Sequence, residues 1–377
     1  MSLHIVSHRN IPEDSSLHRR WNELALQVEQ PEVFYTSEWA LAMQSAYRTS
    51  LKPLLLLGYD GEDVVGVASL ATDATERNIT FLAANTGDYC EFLSHPSRRA
   101  EFVDGVFAEL AKMKASAIAL ANVPEDSATP DALRAAAEKH GLHAYARPAY
   151  TCTQVLLGAR EERQKFKLAV GRKKMLQRKL RGLERAGALD YVHLRSWSSI
   201  EPVVQDFANA HATRFLAMGR VSSLASCERR HFLEDLARRF SDSGVVTLTV
   251  LKVNDQPVAW NYGFQFHGSW FWYQPTFDSR WEAHSPGYCL LARIVMDACD
   301  REGINRVDLG LGAEGYKERF GNSTRQTLYI TATRSWSRHI REITRYRTAR
   351  LLGRSPRVES VVRGVLSGIG VVRGNQR

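Results

Sequence analysis

The feature that most constrains this chain is an order of elements that occurs twice. In the first half, two helical patterns, "SLHRRWNELALQVEQ" and "TSEWALAMQSAY", precede the strand-like runs "LKPLLLLGYD" and "DVVGVASLATDA", which meet in a turn at Asp60 and Gly61. Short strands "NITFLAAN" and "YCEFLSHP" follow, then the amphipathic helix "RRAEFVDGVFAELAKMKA", the buried strand "SAIALANV" and the helix "TPDALRAAAEKHG". The second half runs in the same order. Helices "SIEPVVQDFANAHATRFLAM" and "CERRHFLEDLARRF" lead into a three-strand meander with turns at Asn254-Asp255 and His267-Gly268. The helix "SPGYCLLARIVMDACDREG" and the buried strands "INRVDLGLG" and "QTLYITATR" complete it. The turn at Asp60 corresponds to that at Asp255, 195 residues on, and the strand near Ile118 to that near Val307, 189 residues on. A repeat this long predicts two copies of one α/β (α+β) domain side by side, each a mixed sheet flanked by helices. The expected boundaries are 1–155 for the first copy, 156–335 for the second with a basic junction helix over 160–185, and 336–377 for a tail.

A chain of 377 residues, 44% hydrophobic and 24% charged, has the composition of an ordinary soluble protein, and its length suits two domains. No apolar run approaches the length of a membrane span, and the polar start lacks the core of a signal peptide, so a cytoplasmic location is expected. The five cysteines (Cys90, Cys152, Cys227, Cys289, Cys299) form no C-x-x-C pair, so neither a disulfide framework nor a metal site is expected. The net charge of +9 is concentrated in two places. Residues 160–185 hold eleven Lys and Arg against three acids, and 338–377 ten arginines against two. The remainder of the chain is acidic.

In "GRKKMLQRKLRGLERAGALDYVHL", Leu176, Leu180 and Leu183 make one apolar helix face, and the other face is almost wholly Lys and Arg. Like charges three or four apart destabilise a helix by a few tenths of a kcal/mol each, at roughly the scale of favourable pairs. Either this is a solvated linker, or Arg172, Lys173 and their neighbours meet an anion such as nucleotide, CoA or tRNA phosphate. In "AHSPGYCLLARI", Ser285 can cap a helix, Pro286 suits its first turn and Gly287 allows close approach, so that helix start could bind phosphate. In "VDLGLGAEGYKERFGNS", a strand ends in glycines and then carries Tyr316, Lys317 and Phe320. Asp308 is either a base with a raised pKa or a structural acceptor. Tyr316 is a general acid or a packing aromatic, and Lys317 a ligand contact or a surface lysine paired with Glu314 and Glu318.

The motifs "FYTSEWALAM", "GRKKMLQRKLRGLERAGALDYVHL", "HATRF" and "SPGYCLLARIVMDACDREGINRVDLGLGAEGYKERFG" stand in the order of a known family. From about Phe34 to Arg334 the chain resembles GNAT-fold acyltransferases of the bacterial cellulose and exopolysaccharide biosynthesis type. More distantly, the basic junction and the Tyr-Lys-x-x-Phe-Gly element resemble the Fem-type aminoacyltransferases of peptidoglycan, which carry tandem GNAT-like domains. The resemblance implies transfer of an acyl group to an amine or hydroxyl of a sugar, lipid or cell-envelope precursor. The donor it implies is acyl-CoA or acetyl-CoA, or aminoacyl-tRNA in the Fem-type case; a non-catalytic accessory protein is the third possibility. It places CoA pyrophosphate at His284 to Gly287, although this stretch lacks the several glycines and the basic residue of the usual loop. It has Lys317 face a phosphate of donor or acceptor.

His211 and Arg214 share a helix face, and the resembling family has a similar His/Arg stretch, so His211 is a candidate to line the acceptor pocket. Trp260, Trp270, Trp272 and Tyr273 could bind a sugar face or acyl chain, or be core. The first half has no Tyr-Lys-Gly element. It is expected to lack a donor site and to supply a wall of the acceptor cleft, with Trp39 as a candidate. The tail sets arginines among Ile340, Ile343, Leu351, Leu352, Val361, Val362, Val365 and Leu366. It could lie on an anionic membrane at the inner face, be disordered, or dock on the protein itself. No DNA partner is expected.

Overall fold

The computed structural model describes residues 3–113, 115–312 and 314–352. In chain order the elements of the first half are β1 (His4–His8), α1 (Ser15–Leu26), α2 (Ser37–Ala46), β2 (Lys52–Asp60), β3 (Asp63–Thr72), β4 (Asn78–Phe81), β5 (Leu93–Ser94), α3 (Arg99–Lys112), β6 (Ala117–Pro124), α4 (Thr129–Lys139) and β7 (His143–Leu156). Two helices, α5 (Arg160–Gly171) and α6 (Lys174–Glu184), form the junction. The second half continues with β8 (Leu189–Leu194), α7 (Trp197–Ala217), α8 (Cys227–Arg239), β9 (Val246–Val253), β10 (Gln256–Phe266), β11 (Ser269–Phe277), α9 (Pro286–Asp300), β12 (Arg306–Leu311), β13 (Ser323–Thr333) and α10 (Trp336–Leu352). The expected single junction helix is thus two, broken at Arg172-Lys173.

The two copies share one sheet. Its strands lie in the order β1-β2-β3-β4-β6-β13-β7-β12-β11-β10-β9-β8, with β5 beside β3. In each half an antiparallel meander ends in a strand that runs parallel to the next: β4 to β6, and β11 to β12. The last strands are exchanged. The first half's β7 pairs with β12, and the second half's β13 pairs with β6, while β7 and β13 pair with each other from His143↔Thr333 to Gln154↔Ser323. In chain order the halves are sequential; in space each is completed by a strand of the other.

Three apolar clusters hold the layers. One face carries α1, α2, α7 and α8 over a single cluster in which Phe34 and Trp39 of the first half meet Phe232, Phe264 and Phe271 of the second. On the other face α3 and α4 cover the first half, and α5, α6 and α9 cover the second. Among the described residues no α-helix lies between β12 and β13, only a short 3-10 turn at Lys317–Arg319. Beside α9, the junction helix α5 takes the place that α4 holds beside α3. Leu176 and Leu183 of α6 are fully buried, as the leucine spacing predicts, and the Lys and Arg face stays outward. The start of the tail is α10, which sets Trp336, His339 and Tyr346 against His143, Tyr145 and Arg147 of β7, so 336–352 dock on the protein's own sheet. The rest of the expected membrane-binding segment, 353–377, lies outside the described residues. Among the described residues no helix is long and apolar enough to cross a membrane, and no cluster of metal ligands occurs.

Candidate active site

The parallel pair β11 and β12 is joined only over Ser269–Phe271 and Arg306–Asp308. Past that point β11 runs on to Phe277 and β12 to Leu311, and the strands part. Two irregularities sit at the fork. In β11, Trp272 and Tyr273 both stand opposite Gly263 of β10, a bulge. Gly263 is required there, since a Cβ would lie 2.4 Å from the Phe271 carbonyl oxygen. In β12 the register against β7 shifts between Asp308 and Leu311, where Gly310 takes φ +71. From Trp272 onward, the β12-facing edge of β11 has no strand partner, so its backbone donors are open to a ligand carbonyl.

The first half has the same fork, and it is filled. β4 and β6 pair only at Asn78–Ile79 with Ala117–Ile118. The Cys90 N–H donates to the Asn122 carbonyl (2.9 Å), and Asn122 Nδ2 donates to the Gly87 carbonyl (2.9 Å). Asn122, left-handed at φ 60, stands where Gly310 stands in the second half. The segment carrying Asp88, Tyr89 and Cys90 thus occupies the gap.

Asp308 is fully buried. Its Oδ2 accepts from Tyr89 Oη and Gln154 Nε2, both at 2.8 Å, and its Oδ1 from the Gly310 N–H at 2.8 Å. These donors come from both halves and clamp the bulge, so the carboxylate is a structural acceptor with no path to a substrate. The space at Gly310 is filled as well: a Cβ there would sit 2.8 Å from Asp88 Oδ2. Close by, Glu32 Oε1 accepts from Arg306 (2.9 Å) and Arg325 (2.7 Å), a second buried tie between the halves.

Lys317 is turned inward, 4% exposed. Its Nζ donates to the carbonyls of Leu311 (2.8 Å) and Gly312 (3.3 Å) and pairs with Glu314 (2.7 Å). All its donors go to the chain's own acceptors, so the expected phosphate contact of Lys317 does not fit this geometry; its ammonium closes the loop after β12. The accessible cation of this turn is Arg319. Tyr316 faces the fork, its Oη accepting from Trp272 Nε1 at 3.2 Å. Burial pushes its phenol up, so it is protonated at neutral pH.

At the open end of the fork lies the start of α9. Ser285 stands at the N-cap in a left-handed conformation, φ 50, and makes no side-chain capping bond, contrary to the expectation from Ser-Pro-Gly. Without that cap the first-turn N–H of Gly287 keeps its donor. Around this turn, Lys173 lies 4.8 Å over the Phe320 ring and donates to the Arg319 carbonyl, and Tyr288 packs on Phe320 at 5.1 Å. Burial, then the charge of Arg319, holds the Lys173 ammonium below its usual range, the mark of two cations sharing a small region. Lys179 Nζ donates to the Ala283 carbonyl (2.6 Å). His284 packs over Gly182, its Nδ1 2.6 Å from where a Cβ would stand. Of the expected donor-binding residues, Gly287 and Lys173 meet here with Ser285 and His284 beside them. Arg172 ends α5 with its side chain exposed, and Lys317 is elsewhere.

On the opposite face, one hydrogen-bonded chain links residues read separately from the sequence. Trp39 Nε1 donates to Thr86 Oγ1 (3.1 Å), and Tyr273 Oη donates to the Thr86 carbonyl (2.6 Å). Arg229 Nη2 donates to Tyr273 Oη (2.7 Å) and lies 3.3 Å from Gln274 Oε1. Gln274 Nε2 donates to His211 Nε2 (2.7 Å), which leaves His211 Nδ1–H to donate to Ser222 Oγ (2.8 Å). Burial, then Arg214 and Arg229, holds the imidazole down to about 4. His211 is therefore neutral and a weak base at pH 7, which does not suit a general base. Trp39 is fully buried, so it is core rather than a substrate contact. Arg214 lies 4.3 Å from the Phe277 ring centre. The sequence reading missed Arg229, Gln274, Arg319 and the bulge at Gly263.

Residues 171–318 match the model of the acetyltransferase (GNAT) domain. No curated protein sequence matches the chain. Among solved structures, FemX is similar at a TM-score of 0.59, with 10% identity, over 86% of this chain and 96% of that one. A conserved protein of unknown function from Bacteroides thetaiotaomicron VPI-5482 gives 0.53, with 12% identity, over 88% of this chain and 100% of that one. A tandem GNAT protein from the clavulanic acid biosynthesis pathway gives 0.48, with 13% identity, over 89% and 99%. At such identities the likeness is one of fold. The chain has the GNAT fold, two copies joined in one sheet, and its residues 171–318 match the GNAT acetyltransferase domain.

Proposed function

We propose that this protein is an acyltransferase that moves an acyl group from acyl-CoA to an amine or hydroxyl of a sugar, lipid or cell-envelope precursor, with the second-half fork as its donor site. The observation that carries the reading is the asymmetry of the two forks. In the first, segment 87–90 bonds to the β6 edge at Asn122; in the second, Asp88 of that segment fills only the space at Gly310, and the fork ends at an uncapped helix start ringed by Lys173, Lys179 and Arg319. The fit to a CoA phosphate rests on the free donor of Gly287 and on those cations, since helix starts and lysines favour phosphate.

The chain's residues then divide the work. The unpaired edge of β11 after Trp272 donates backbone N–H groups to the thioester carbonyl, whose oxygen gains charge as the acceptor attacks. The new C–N or C–O bond forms as the C–S bond breaks. Tyr316, protonated by virtue of its burial, gives its proton to the departing thiolate. The acceptor's proton passes to water, because Asp308 is sealed and His211 is too weak a base.

Thermal stabilisation tests this reading. CoA, acetyl-CoA and longer acyl-CoAs should raise the Tm, since a ligand bound only by the native state stabilises it. No shift with any of them would overturn it. Steeply salt-dependent tRNA binding in place of that shift would select the aminoacyl-tRNA donor instead; the Lys and Arg face of α5 and α6 is the surface such a donor would use.

A further inference from the structure

Of the three fully buried arginines among the described residues, Arg99, Arg325 and Arg229, one lacks an acidic partner. Arg99 pairs with Glu91 (3.1 Å) and Glu29 (3.4 Å), Arg325 with Glu32 (2.7 Å) and Asp126 (3.0 Å), and Arg306 with Glu32 (2.9 Å). Arg229, 6% exposed, has no carboxylate partner among the described residues. Its neighbours are the phenols of Tyr273 and Tyr47 and the Gln274 amide, its Nε has no acceptor, and it sits in the first turn of α8, where the helix dipole also repels a cation. Arg214, half-buried on the same side of His211, also makes no ion pair among the described residues. Its guanidinium lies against Phe277, its Nε is likewise without an acceptor, and the one acid in its surroundings, Glu282, makes no ion pair with it. Burying a charge without a counter-charge is costly, and the other two fully buried arginines, Arg99 and Arg325, each have carboxylate partners. Both arginines flank His211, on the side of β11 where Tyr273 and Gln274 emerge from the bulge.

We propose that the acceptor substrate carries an anionic group, a carboxylate or a phosphate, that Arg214 contacts and that the buried charge of Arg229 attracts from behind. The inference rests on the acyl-transfer reading and names the substrate class for its acceptor side. Arg214 lies between the fork residue Tyr316 and the Arg229–His211 chain, so an anion held there places the rest of the acceptor toward the bulge. Arg229 is a positioning residue, since Tyr273, Gln274 and Phe232 lie over its guanidinium.

The test uses the full chain and simple anions. Phosphate and acetate are titrated against chloride at constant ionic strength, following the Tm and the imidazole resonances of His211, with Arg214→Gln and Arg229→Met alongside. The wild type should be stabilised by one of the two anions in the millimolar range, and the His211 resonances should titrate at a higher pH as the anion offsets the two guanidiniums. Which anion acts distinguishes a phosphorylated from a carboxylated acceptor. Arg214→Gln should weaken the apparent Kd about tenfold or more, as loss of a charge-assisted pair does. Arg229→Met, freed of an unpaired buried cation, should keep or raise the Tm without anion and lose the anion response. An equal response in wild type and both variants would mean an adventitious ion only and overturn the proposal, as would no response beyond chloride. Acetyl-CoA binding in the same samples separates the two claims. If it is intact while the anion response is absent, this inference fails alone; if it is absent from the wild type, the donor reading fails.

Discussion

Replacing Gly263 by alanine should abolish acyl transfer while leaving the protein folded. A Cβ at 263 would stand 2.4 Å from the Phe271 carbonyl oxygen and 2.6 Å from Asn261 Oδ1. The Asn261 side chain can turn, but the carbonyl belongs to β11 and can retreat only if the bulge at Trp272-Tyr273 flattens or the strand shifts by the better part of an ångström. Overpacking of this kind costs about 1–3 kcal/mol. Against a total stability of roughly 5–15 kcal/mol the fold survives, with the Tm lower by several degrees. In the proposed reaction the bulge aims the unpaired β11 edge at the donor carbonyl, and losing one such donor costs about 10²–10³ in rate. Initial rates with acetyl-CoA, beside thermal melts of Gly263→Ala and of Gly303→Ala as control, measure both. Nothing lies within 4 Å of a Cβ at Gly303. A Gly263→Ala protein that melts several degrees lower yet turns over at the wild-type rate would refute the role given to the bulge. One that loses no stability would refute the packing argument itself.

Other outcomes follow from the same geometry. Tyr316→Phe keeps the ring but removes the phenol, so kcat should fall by roughly 10²-fold or more with little change in acetyl-CoA affinity; steady-state kinetics and isothermal titration check it. Lys317→Met strips the loop after β12 of its internal cation and should lower the Tm, whereas Lys173→Ala with Arg319→Ala should leave the Tm nearly unchanged and weaken acetyl-CoA binding most at low salt. His211 has a folded-state pKa of about 4 against an ordinary 6.5, so it takes up its proton more readily when unfolded. Its contribution is therefore intact above pH 6.5 and lost as the pH falls toward 4, by at most ~3 kcal/mol at 1.36 kcal/mol per unit. His211→Gln should flatten the Tm–pH curve in that window; an unchanged slope would mean the imidazole is already solvated in the native state.

Periodicity carried the repeat, because meanders and amphipathic helices write their burial into local spacing. The strand exchange was invisible for the same reason. Both β7 and β13 carry runs of consecutive buried residues near their ends, and sequence does not say which neighbours cover them. β7 was harder still: Pro148 interrupts it, and its first half, "HAYARPAY", lies under α10 with half-exposed side chains. At the site, residue types were read more reliably than directions. Lys317 and Trp39 are in the neighbourhood expected of them but point inward, and nothing in "GYKERFG" says that Lys317 and not Arg319 turns toward Leu311. Arg229 could have been found. It shares a helix face with Phe232, Leu233 and Leu236, all buried, and an arginine on an apolar stripe is an anomaly. It was lost among the other arginines of "CERRHFLEDLARR".

The exchange of last strands also predicts how the second half behaves alone. A fragment of residues 157–352 keeps α5, α6 and α9 over its own meander, but it leaves β12 without β7 on one side and β13 without both β6 and β7. Asp308 would lose Tyr89 and Gln154 and keep only the Gly310 N–H, so a carboxylate sealed by both halves would lie at an open edge. Phe264, Phe271 and Phe232 would lose Phe34 and Trp39. Unpaired edges of this length recruit other strands. Because the halves are copies, one partner is available in kind: β13 of a second fragment, standing where β7 stands. The fragment should therefore be insoluble, or be a dimer that rebuilds the central pair from two copies of β13. Sedimentation at several concentrations decides the matter. A soluble monomer with a single cooperative melt would show that the second half closes its sheet unaided, and the exchange would then be a connection between two complete domains, not the means by which each is completed.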